Sequence, residues 1–447
     1  MINRIYLILF LVLFGCSKQN TIQESITVSS QTKELTEIKE TTSTITENTN
    51  LNIKYLDATN ASSIEGAAVE FLTFTTSKVT DITNNYERNL TVVALQKDNY
   101  IYKLDYENLR LERLLKFTDN PDLTDAPEAG VVKVLIIENQ FLLVAYNNNN
   151  FESIIKQFDL NDIAESGTVI YSSKNIQNVH PCLDMVYDSE TSILYFCKGD
   201  STMQHDEITQ QLHLPDGKIH RFKFSKETGL EPIKVDINIY DYLEAYPNSY
   251  PNYLPSIFAI GLRNPWELHL SENSLLYIPD VGDGKFEELN IIDLKQQTYD
   301  NFINFGWPIY NGTEINDLKR LQNDFLLSDE KLEEFMQNKI VHTSPILQYE
   351  HYTDSPRGQK CAIIGGATYK NVDSNFWNNK YFFGDYCSSE LFTIYGKFPN
   401  FNVYFLTQLE DFITYIGNDL NGKILIATEH FDEEGINKGK IYKLILP

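Results

Sequence analysis

Residues 257–294 read IFAIGLRNPWELHLSENSLLYIPDVGDGKFEELNIIDL, and residues 301–308 read NFINFGWP. Short runs of alternating apolar and polar residues are separated here by loops rich in Gly, Asn and Asp. This pattern predicts three strands of an antiparallel meander, the first opening at Gly261 and continuing to Leu270. Arg263 and Asn264 lead into the first strand, whereas Asp280 and Gly282 follow the second strand. Because these two loops lie at the same end of a meander, we expect the four residues to meet.

The same strand–loop–strand unit recurs along the chain. Its first member occurs at residues 90–96, 141–146, 193–200, 275–282, 381–387 and 424–430. Its second member occurs at residues 100–105, 154–160, 218–224, 288–294, 390–396 and 440–446. Six copies of a small antiparallel sheet predict an all-β protein with the fold of a six-bladed β-propeller. A β-helix would need a shorter and more regular repeat, and a helical solenoid would need a period of 3.6 residues.

The composition agrees with a β-rich domain and narrows the class of partner. The 447 residues include 27 Tyr and 26 Phe, which are residues that favour strands. Lys and Arg number 37 against 62 Asp and Glu, so the net charge is −25. This charge argues against nucleic acid or an anionic membrane surface as the main partner, and it is compatible with a neutral sugar.

The first residues predict export. Arg4 precedes an apolar run over residues 5–14 that is too short to span a bilayer, so residues 1–15 are predicted to be a signal peptide. The run ends in Leu-Phe-Gly-Cys16, which resembles a bacterial lipobox with Cys16 as the lipidated residue. We expect a protein that is lipid-anchored to a membrane of the bacterial cell envelope, periplasmic or at the cell surface. A plain signal peptide with an incidental cysteine is the alternative.

Composition also divides the rest of the chain. Residues 16–60 include a stretch rich in Ser and Thr without Gly or Pro, which predicts a disordered tether. The propeller domain is predicted over residues 61–447. Within it, residues 313–340 carry apolar side chains at helical spacing, so we expect a short helical insertion over one propeller face.

Four cysteines remain once Cys16 is set aside. Cys182 and Cys197 flank one short strand–turn–strand, and Cys361 and Cys387 flank another. Export favours disulfide formation. We predict the pairs 182–197 and 361–387 among the three connectivities that four cysteines allow.

Five motifs carry a family resemblance: IGLRNPW at 260–266, DVG at 280–282, EELN at 287–290, NFGWP at 304–308 and GDYCS at 384–388. In this order they resemble the glucose/sorbosone dehydrogenase family. That family comprises soluble six-bladed quinoproteins that use pyrroloquinoline quinone (PQQ), together with the Hedgehog-interacting-protein-like propellers. Weaker matches extend over nearly the whole domain. The resemblance implies oxidation of an aldose or related polyol with PQQ and calcium, and it leaves the electron acceptor unknown.

The resemblance assigns roles to individual residues. His180 matches the general base, which takes the proton of the sugar's anomeric hydroxyl while hydride goes to the quinone. Histidine suits this role because its pKa lies near neutrality. Arg263 and Asn264 match contacts to the cofactor, whose carboxylates suit a guanidinium. The alternatives are a histidine held in a loop and an arginine that joins two blades.

The remaining matches concern calcium and the substrate. Gly282 and Asp283 match two positions whose backbone carbonyls bind calcium, or they form a tight turn. Gln96 matches a glutamine that contacts substrate, or it is an ordinary loop residue. Asp200 and Asp385 end equivalent strands, where a carboxylate can either bind a sugar or cap a turn.

The chain departs from the family at two places. Cys182 and Leu183 stand where the family usually has Gly-Gly, a flat approach for the cofactor. Cys387, Phe412 and Thr414 stand where the soluble glucose dehydrogenases have a Lys and two Arg, and each lost charged hydrogen bond costs roughly 1.5–3 kcal/mol. These departures leave open a non-catalytic propeller that binds a glycan or a protein. A metal-dependent lactonase is a further alternative, and it would need Asp, Glu or Asn side chains converging on the axis.

Overall fold

The computed structural model covers most of the predicted propeller domain. It describes residues 54–55, 62–117, 128–163, 167–177, 179–202, 207–233, 253–296, 303–317, 321, 342–351, 354–355, 358–370, 376–397, 400–432 and 437–447. The predicted signal peptide, Cys16 and most of the predicted tether lie outside these residues, as do residues 318–320 and 322–340 of the predicted helical insertion. Among the helices that the structure describes, none has the length and apolarity needed to cross a membrane.

Three strands precede the first blade, and none of them belongs to it. They are β1 (Lys54–Tyr55), β2 (Ser62–Ser63) and β3 (Ala68–Thr75). Each adds an outer strand to a blade that comes later in the chain.

Blades 1 and 2 are four-stranded antiparallel meanders. Blade 1 consists of β4 (Val79–Asn85), β5 (Leu90–Leu95), β6 (Tyr100–Asp105) and β7 (Arg110–Lys116). Blade 2 consists of β8 (Gly130–Ile137), β9 (Phe141–Asn147), β10 (Glu152–Asp159) and β11 (Thr168–Lys174).

Blades 3 and 4 are larger and are interleaved in sequence. Blade 3 starts with β12 (Met185–Asp188), β13 (Ile193–Lys198), a 3-10 turn (Glu207–Gln210), β14 (Lys218–Ser225), β15 (Gly229–Pro232) and β16 (Ile257–Ile260). Blade 4 starts with β17 (His269–Leu270), β18 (Leu275–Asp280) and β19 (Phe286–Asp293). The chain then adds β20 (Ile303–Asn304) to blade 3, forms the hairpin β21 (Tyr310–Asn311) and β22 (Glu314–Ile315), and adds β23 (Leu347–Glu350) to blade 4. Strand β1 pairs in parallel with β23.

Blades 5 and 6 complete the ring. After the hairpin β24 (Asp354–Ser355) and β25 (Gly358–Gln359), blade 5 consists of β26 (Ile363–Ile364), β27 (Tyr381–Asp385), β28 (Glu390–Lys397) and β29 (Asn400–Gln408). Strand β2 pairs in parallel with β29. Blade 6 consists of β30 (Phe412–Asn418), β31 (Ile424–Phe431) and β32 (Asn437–Ile445), and β3 supplies its fourth strand by pairing antiparallel with β32. The ring is therefore closed by strands from both ends of the domain.

Each interface between neighbouring blades holds a hydrophobic cluster of its own in the described residues. Strand β9 shows why this works. Leu142 and Val144 pack toward blade 1, whereas Leu143 and Ala145 pack toward blade 3, because successive side chains of a strand point to opposite faces. A strand buried on both faces reads as a continuous apolar run. This is why the repeated sequence units were visible.

The structure confirms the predicted six-bladed fold. The first repeated member is the second strand of each blade, and the second member is the third strand. The predicted first strand of blade 4 was too long. The structure pairs only His269–Leu270 as β17, with a single bridge between Pro265 and Asp280 before it. The ladder is interrupted between this bridge and β17, where Glu267 has a φ of +63° and the N–H of Leu268 donates to a carboxylate oxygen of Asp184.

Both predicted disulfides are present. Cys182 and Cys197 join the segment before β12 to β13, with their Cα atoms 6.5 Å apart. Cys361 and Cys387 join the segment before β26 to the end of β27, with their Cα atoms 5.4 Å apart. Each bond therefore fixes the connection at one end of a single blade.

Candidate active site at the mouth of the propeller

The predicted site residues concentrate at one end of the propeller axis. At this end the innermost strands β4, β8, β12, β17, β26 and β30 begin, and their antiparallel partners end; it is termed the mouth. His180 and Arg263 lie in segments that lead into innermost strands, and Gln96, Asp200 and Gly282 follow second strands. The topology of the meanders thus explains why residues distant in sequence share one end.

His180 is held by two carboxylates. Its Nδ1 lies 2.9 Å from Asp200 Oδ1, and its backbone N–H donates to Glu128 Oε2 at 2.5 Å. The residue is buried and has a φ of +43°, a conformation that is uncommon for a side chain other than Gly. An ionised carboxylate has no proton to donate, so it can only accept a hydrogen bond. When His180 is neutral, Nδ1 must therefore carry the proton, and Nε2 carries the lone pair. The contact with Asp200 therefore prepares Nε2 to act as a base.

Asp200 links His180 to two other parts of the mouth. Its second oxygen accepts from Trp307 Nε1 at 3.2 Å, and its backbone N–H donates to Arg263 O at 2.7 Å. The preceding residue, Gly199, lies so close to the carbonyl of His180 that a Cβ atom there would collide with it. The structure therefore gives Asp200 the contacts of a residue that orients His180.

Arg263 lies on the other side of Trp307. Its guanidinium stands 5.7 Å from the centre of the indole, its Nη1 donates to Val281 O at 3.0 Å, and its Nη2 lies 3.6 Å from Asp283 Oδ1. The Nε atom of Arg263 and the Oδ1 atom of Asn264 are buried without a hydrogen-bond partner among the described residues. Buried polar groups usually have partners, so two such atoms side by side indicate a site for a polar ligand.

Asp280 fixes the loop that carries these two atoms. Its oxygens accept the backbone N–H groups of Arg263 and Asn264 at 2.9 and 2.7 Å. Burial raises the pKa of Asp280 well above its usual range, and the neighbouring Glu288 adds to the rise. Burial also raises the pKa of Glu288 to about 7. The four residues expected to meet, Arg263, Asn264, Asp280 and Gly282, do lie together.

The loop at Gly282 has a structural reason for its glycine. A Cβ atom there would collide with the backbone carbonyl of Phe286. The N–H of Gly282 donates to Glu287 Oε2 at 3.2 Å, and Glu287 also bonds His351. In the parts of the chain that the structure describes, no three His, Cys, Asp or Glu side chains are grouped to hold a metal. A calcium ion here would depend on backbone carbonyls, as the resemblance implies.

Gln96 and Asp385 have different surroundings. Gln96 Nε2 donates to Ala129 O at 3.0 Å, and Ala129 follows the glutamate that holds His180, so Gln96 lies on the same side of the mouth. Asp385 accepts from Cys361 N at 3.1 Å, Ser388 N at 2.8 Å and Tyr349 Oη at 2.9 Å. These contacts favour the alternative that Asp385 caps a turn beside the Cys361–Cys387 disulfide.

The positions that depart from the family are occupied by uncharged groups. Cys387 is in a disulfide, Phe412 stacks on Tyr386 with ring centres 5.0 Å apart, and Thr414 is buried. Cys182 and Leu183 are also buried, in the hydrophobic clusters on the two sides of blade 3. The side chains of Cys182 and Leu183 therefore pack between blades. The uncharged groups at 387, 412 and 414, by contrast, leave the mouth with fewer cations than the soluble glucose dehydrogenases have.

A second feature lies on the axis, away from the mouth. A cavity of about 790 Å³ is lined by residues of the innermost strands of blades 1, 2, 3, 4 and 6 and of the segments that follow several innermost strands. At its inner end the ammonium of Lys133 is 3.1 Å from Asp81, 3.0 Å from Asp184 and 3.3 Å from Glu267. These four residues are termed the axial ion cluster.

Burial shifts the titration of the axial ion cluster. Burial by itself would lower the pKa of Lys133, yet the three carboxylates hold the pKa of that ammonium well above its usual range. Burial raises the pKa of Asp81 to about 6, with Lys133 opposing the rise and Asp184 adding to it. Burial likewise raises the pKa of Glu267 well above its usual range. Asp81 and Asp184 also accept backbone N–H groups of Val134 and Met185.

Sequence reasoning assigned no role to three residues of the mouth. Trp307 and Asp280 stand within the quoted motifs NFGWP and DVG, so the motifs contained the signal without showing what the side chains contact. Glu128 lies outside every motif, and no sequence feature pointed to it. Its contact with His180 becomes visible only when blades 2 and 3 are side by side.

Comparison with known sequences gives a limited match. No family model matches the chain. HIPL2 protein and HIPL1 protein of Arabidopsis thaliana are 30% and 25% identical over 122 and 133 residues. The matches cover 27% and 29% of this chain, and the chain spans only 15% and 17% of the length of these relatives.

Comparison with solved structures covers the whole propeller. The PQQ-bound form of aldose sugar dehydrogenase from Streptomyces coelicolor matches with a TM-score of 0.58 at 12% identity, over 86% of this chain and 100% of that one. The apo-form of soluble aldose sugar dehydrogenase from Escherichia coli matches with a TM-score of 0.60 at 14% identity, over 85% and 99%. A glucose dehydrogenase gives a TM-score of 0.63 at 15% identity, over 85% and 99%. The chain thus has the fold of these soluble sugar dehydrogenases, and the comparisons agree with the family resemblance inferred from its motifs.

Proposed function

We propose that the protein oxidises an aldose or a related polyol, with PQQ as its cofactor. The observation that carries the proposal is the line of contacts from His180 through Asp200 and Trp307 to Arg263. These contacts support the proposal that His180 acts as a base and that the guanidinium of Arg263 acts at the same mouth. The motif resemblance and the sugar-dehydrogenase neighbours support the same reaction class.

The residues present fit the cofactor. Arg263 and Asn264 would hold it, because each has a buried polar atom without a partner among the described residues. When bound, PQQ supplies the quinone that accepts a hydride from the sugar carbon. We extend the proposal to a calcium ion held by backbone carbonyls of Gly282 and Asp283.

His180 performs the proton transfer in this proposal. Its Nε2 takes the proton of the sugar hydroxyl, and the imidazolium that forms is stabilised by Asp200. Trp307 holds the second oxygen of Asp200 and keeps the carboxylate in place. Burial of the pair excludes water and strengthens the interaction. Gln96 would contact the sugar from blade 1.

A titration tests the proposal. Purified protein is titrated with PQQ and calcium, and the quinone absorbance is followed with and without aldoses. We expect saturable binding at micromolar PQQ and a spectral change on addition of substrate. His180→Ala should retain binding and lose roughly 100-fold or more of turnover. Absence of saturable PQQ binding would end the proposal.

The missing cations favour a second candidate function. With uncharged groups at 387, 412 and 414, the protein would be a non-catalytic propeller that binds a glycan or another protein. It predicts no PQQ binding and saturable binding of a glycan or protein partner in the same buffer. The titration above therefore separates the two functions.

Location and partners complete the proposal. We propose a lipid anchor at Cys16 in the bacterial cell envelope and a soluble or membrane electron acceptor of unknown identity. Mass spectrometry of the N-terminal peptide of the mature protein tests the anchor, because diacylation of Cys16 gives a mass that a plain cleaved peptide does not have.

A further inference from the structure

Lys78 brings a cation from blade 1 to the mouth. It immediately precedes β4, and its carbonyl accepts the backbone N–H of Gln96 at 3.0 Å. Its ammonium lies 5.5 Å from the centre of the Trp266 ring and 5.8 Å from the centre of the Tyr386 ring. The lysine therefore reaches across to rings that belong to the segments of blades 4 and 5.

The two rings define where the ammonium is. Trp266 stands two residues after Asn264, which carries one of the unpartnered buried atoms. Tyr386 immediately precedes Cys387, where the soluble glucose dehydrogenases have a lysine. The ammonium of Lys78 thus lies between the loop that would hold the cofactor and the position that lacks its cation.

The ammonium is only weakly engaged by the protein. Its ion partner in the described residues is Glu429, whose Oε1 lies 3.8 Å away, beyond hydrogen-bond distance. Glu429 already accepts from Tyr386 Oη at 2.7 Å and from Asn437. The Lys78 side chain is 20% exposed, and the aromatic rings cover two of its sides. A partly desolvated ammonium with three donors and one distant partner is suited to an incoming anion.

We propose that Lys78 binds a carboxylate of the anionic cofactor and replaces the cation absent at position 387. The inference rests on the proposed function, and it concerns a residue that neither the motifs nor the resemblance assigns. Lys78 and Arg263 then bind the anion from two sides of the mouth. A charged hydrogen bond of this kind contributes to affinity and to its dependence on salt.

Binding without turnover tests the inference. PQQ is titrated into the full chain, and quenching of the tryptophan fluorescence gives the dissociation constant. We expect Lys78→Gln to weaken binding roughly 10–100-fold, the range for loss of one charged hydrogen bond, and Lys78→Arg to restore most of the affinity. The matched control is Lys370→Gln, which removes the same charge at the far end of the axis. It should change affinity by less than about twofold, because distant exposed charges are screened.

A second ligand separates a direct contact from a structural role. PQQ trimethyl ester lacks the carboxylate charges, so wild-type protein should prefer the acid over the ester by a large ratio. Lys78→Gln should reduce this ratio about tenfold or more. A variant that merely disturbed the loop would weaken both ligands equally and overturn the inference. Equal PQQ affinity of wild type and Lys78→Gln overturns this inference alone, whereas absence of wild-type binding overturns the proposed function with it.

Discussion

Two sites on the propeller axis treat buried polar groups differently. In the axial ion cluster, Lys133 is surrounded by three carboxylates, and two of these, Asp81 and Asp184, accept backbone N–H groups as well. At the mouth, Arg263 Nε and Asn264 Oδ1 are buried without partners in the described residues. Each such atom costs about 1–3 kcal/mol of stability. The axial ion cluster is therefore internally satisfied, whereas the unsatisfied atoms at the mouth are suited to a ligand.

The largest expected effect tests whether the axial ion cluster is structural. Lys133→Met leaves three buried carboxylates without their cation, so we expect the free energy of unfolding to fall by about 3–5 kcal/mol. Urea denaturation at neutral pH measures it. The control is Lys370→Met at the rim of the same cavity, where the pair with Glu272 is partly exposed and should contribute less than about 1 kcal/mol. A small loss for Lys133→Met would show that the axial ion cluster is no better satisfied than the mouth.

Asp200→Asn tests whether the mouth is built to orient a base. The asparagine amide can donate to His180 Nδ1 and thereby favour the other tautomer, so we expect turnover to fall roughly 100-fold or more while PQQ affinity is kept. Nitrogen chemical shifts of the His180 ring report the tautomer without any turnover. An unchanged tautomer in the variant would contradict this role for Asp200.

The titration of Asp81 should contribute to the pH dependence of the free energy of unfolding. Its pKa rises from an ordinary value of 3.8 to about 6 in the folded protein. As pH rises from about 4 to 6, Asp81 loses its proton in the unfolded chain before it does so in the folded protein. The free energy of unfolding therefore falls over this range, and it has fallen fully once the pH is above both pKa values. Between about pH 4 and 6 we expect wild type to lose up to roughly 3 kcal/mol relative to Asp81→Asn. Parallel stability profiles for the two proteins would exclude this contribution.

The smallest effect concerns a single hydroxyl. Thr414 is buried near the mouth end of β30, and its Oγ1 has no partner among the residues described. Thr414→Val removes the unsatisfied group at nearly constant shape, so we expect a gain of about 1 kcal/mol in unfolding free energy. Thermal and urea denaturation measure it. A loss of stability would mean that the hydroxyl is satisfied in solution, and the contrast between the axial ion cluster and the mouth would be weaker.

The sequence predicted the fold because the second strand of every blade is buried on both faces and therefore reads as an apolar run. It also predicted both disulfides and the meeting of Arg263 with Asp280, since a meander brings alternate loops to one end. The innermost strands were harder to find. Strand β17 is two residues long, because Glu267 before it has a positive φ and Leu268 donates its N–H to Asp184.

The site was predicted in its residues but not in its contacts. The family resemblance assigned roles to His180 and Arg263, and it left Asp200 either to bind a sugar or to cap a turn. The structure shows Asp200 between His180 and Trp307. Glu128 and Lys78 belong to blades 2 and 1 and lie in no motif. Their contacts join blades distant in sequence, and a pattern within one stretch does not contain that information.

The first three strands extend blades 4, 5 and 6, one after another, along the outer edge of the ring. During synthesis they emerge hundreds of residues before their partners. Until β32 has been synthesised, the backbone N–H and C=O groups of β3 have no strand to pair with. Such an unpaired edge favours pairing with other chains. Blades 4 and 5 can take up β1 and β2 before the chain ends, whereas blade 6 reaches its full width only when its last strand, β32, has been synthesised.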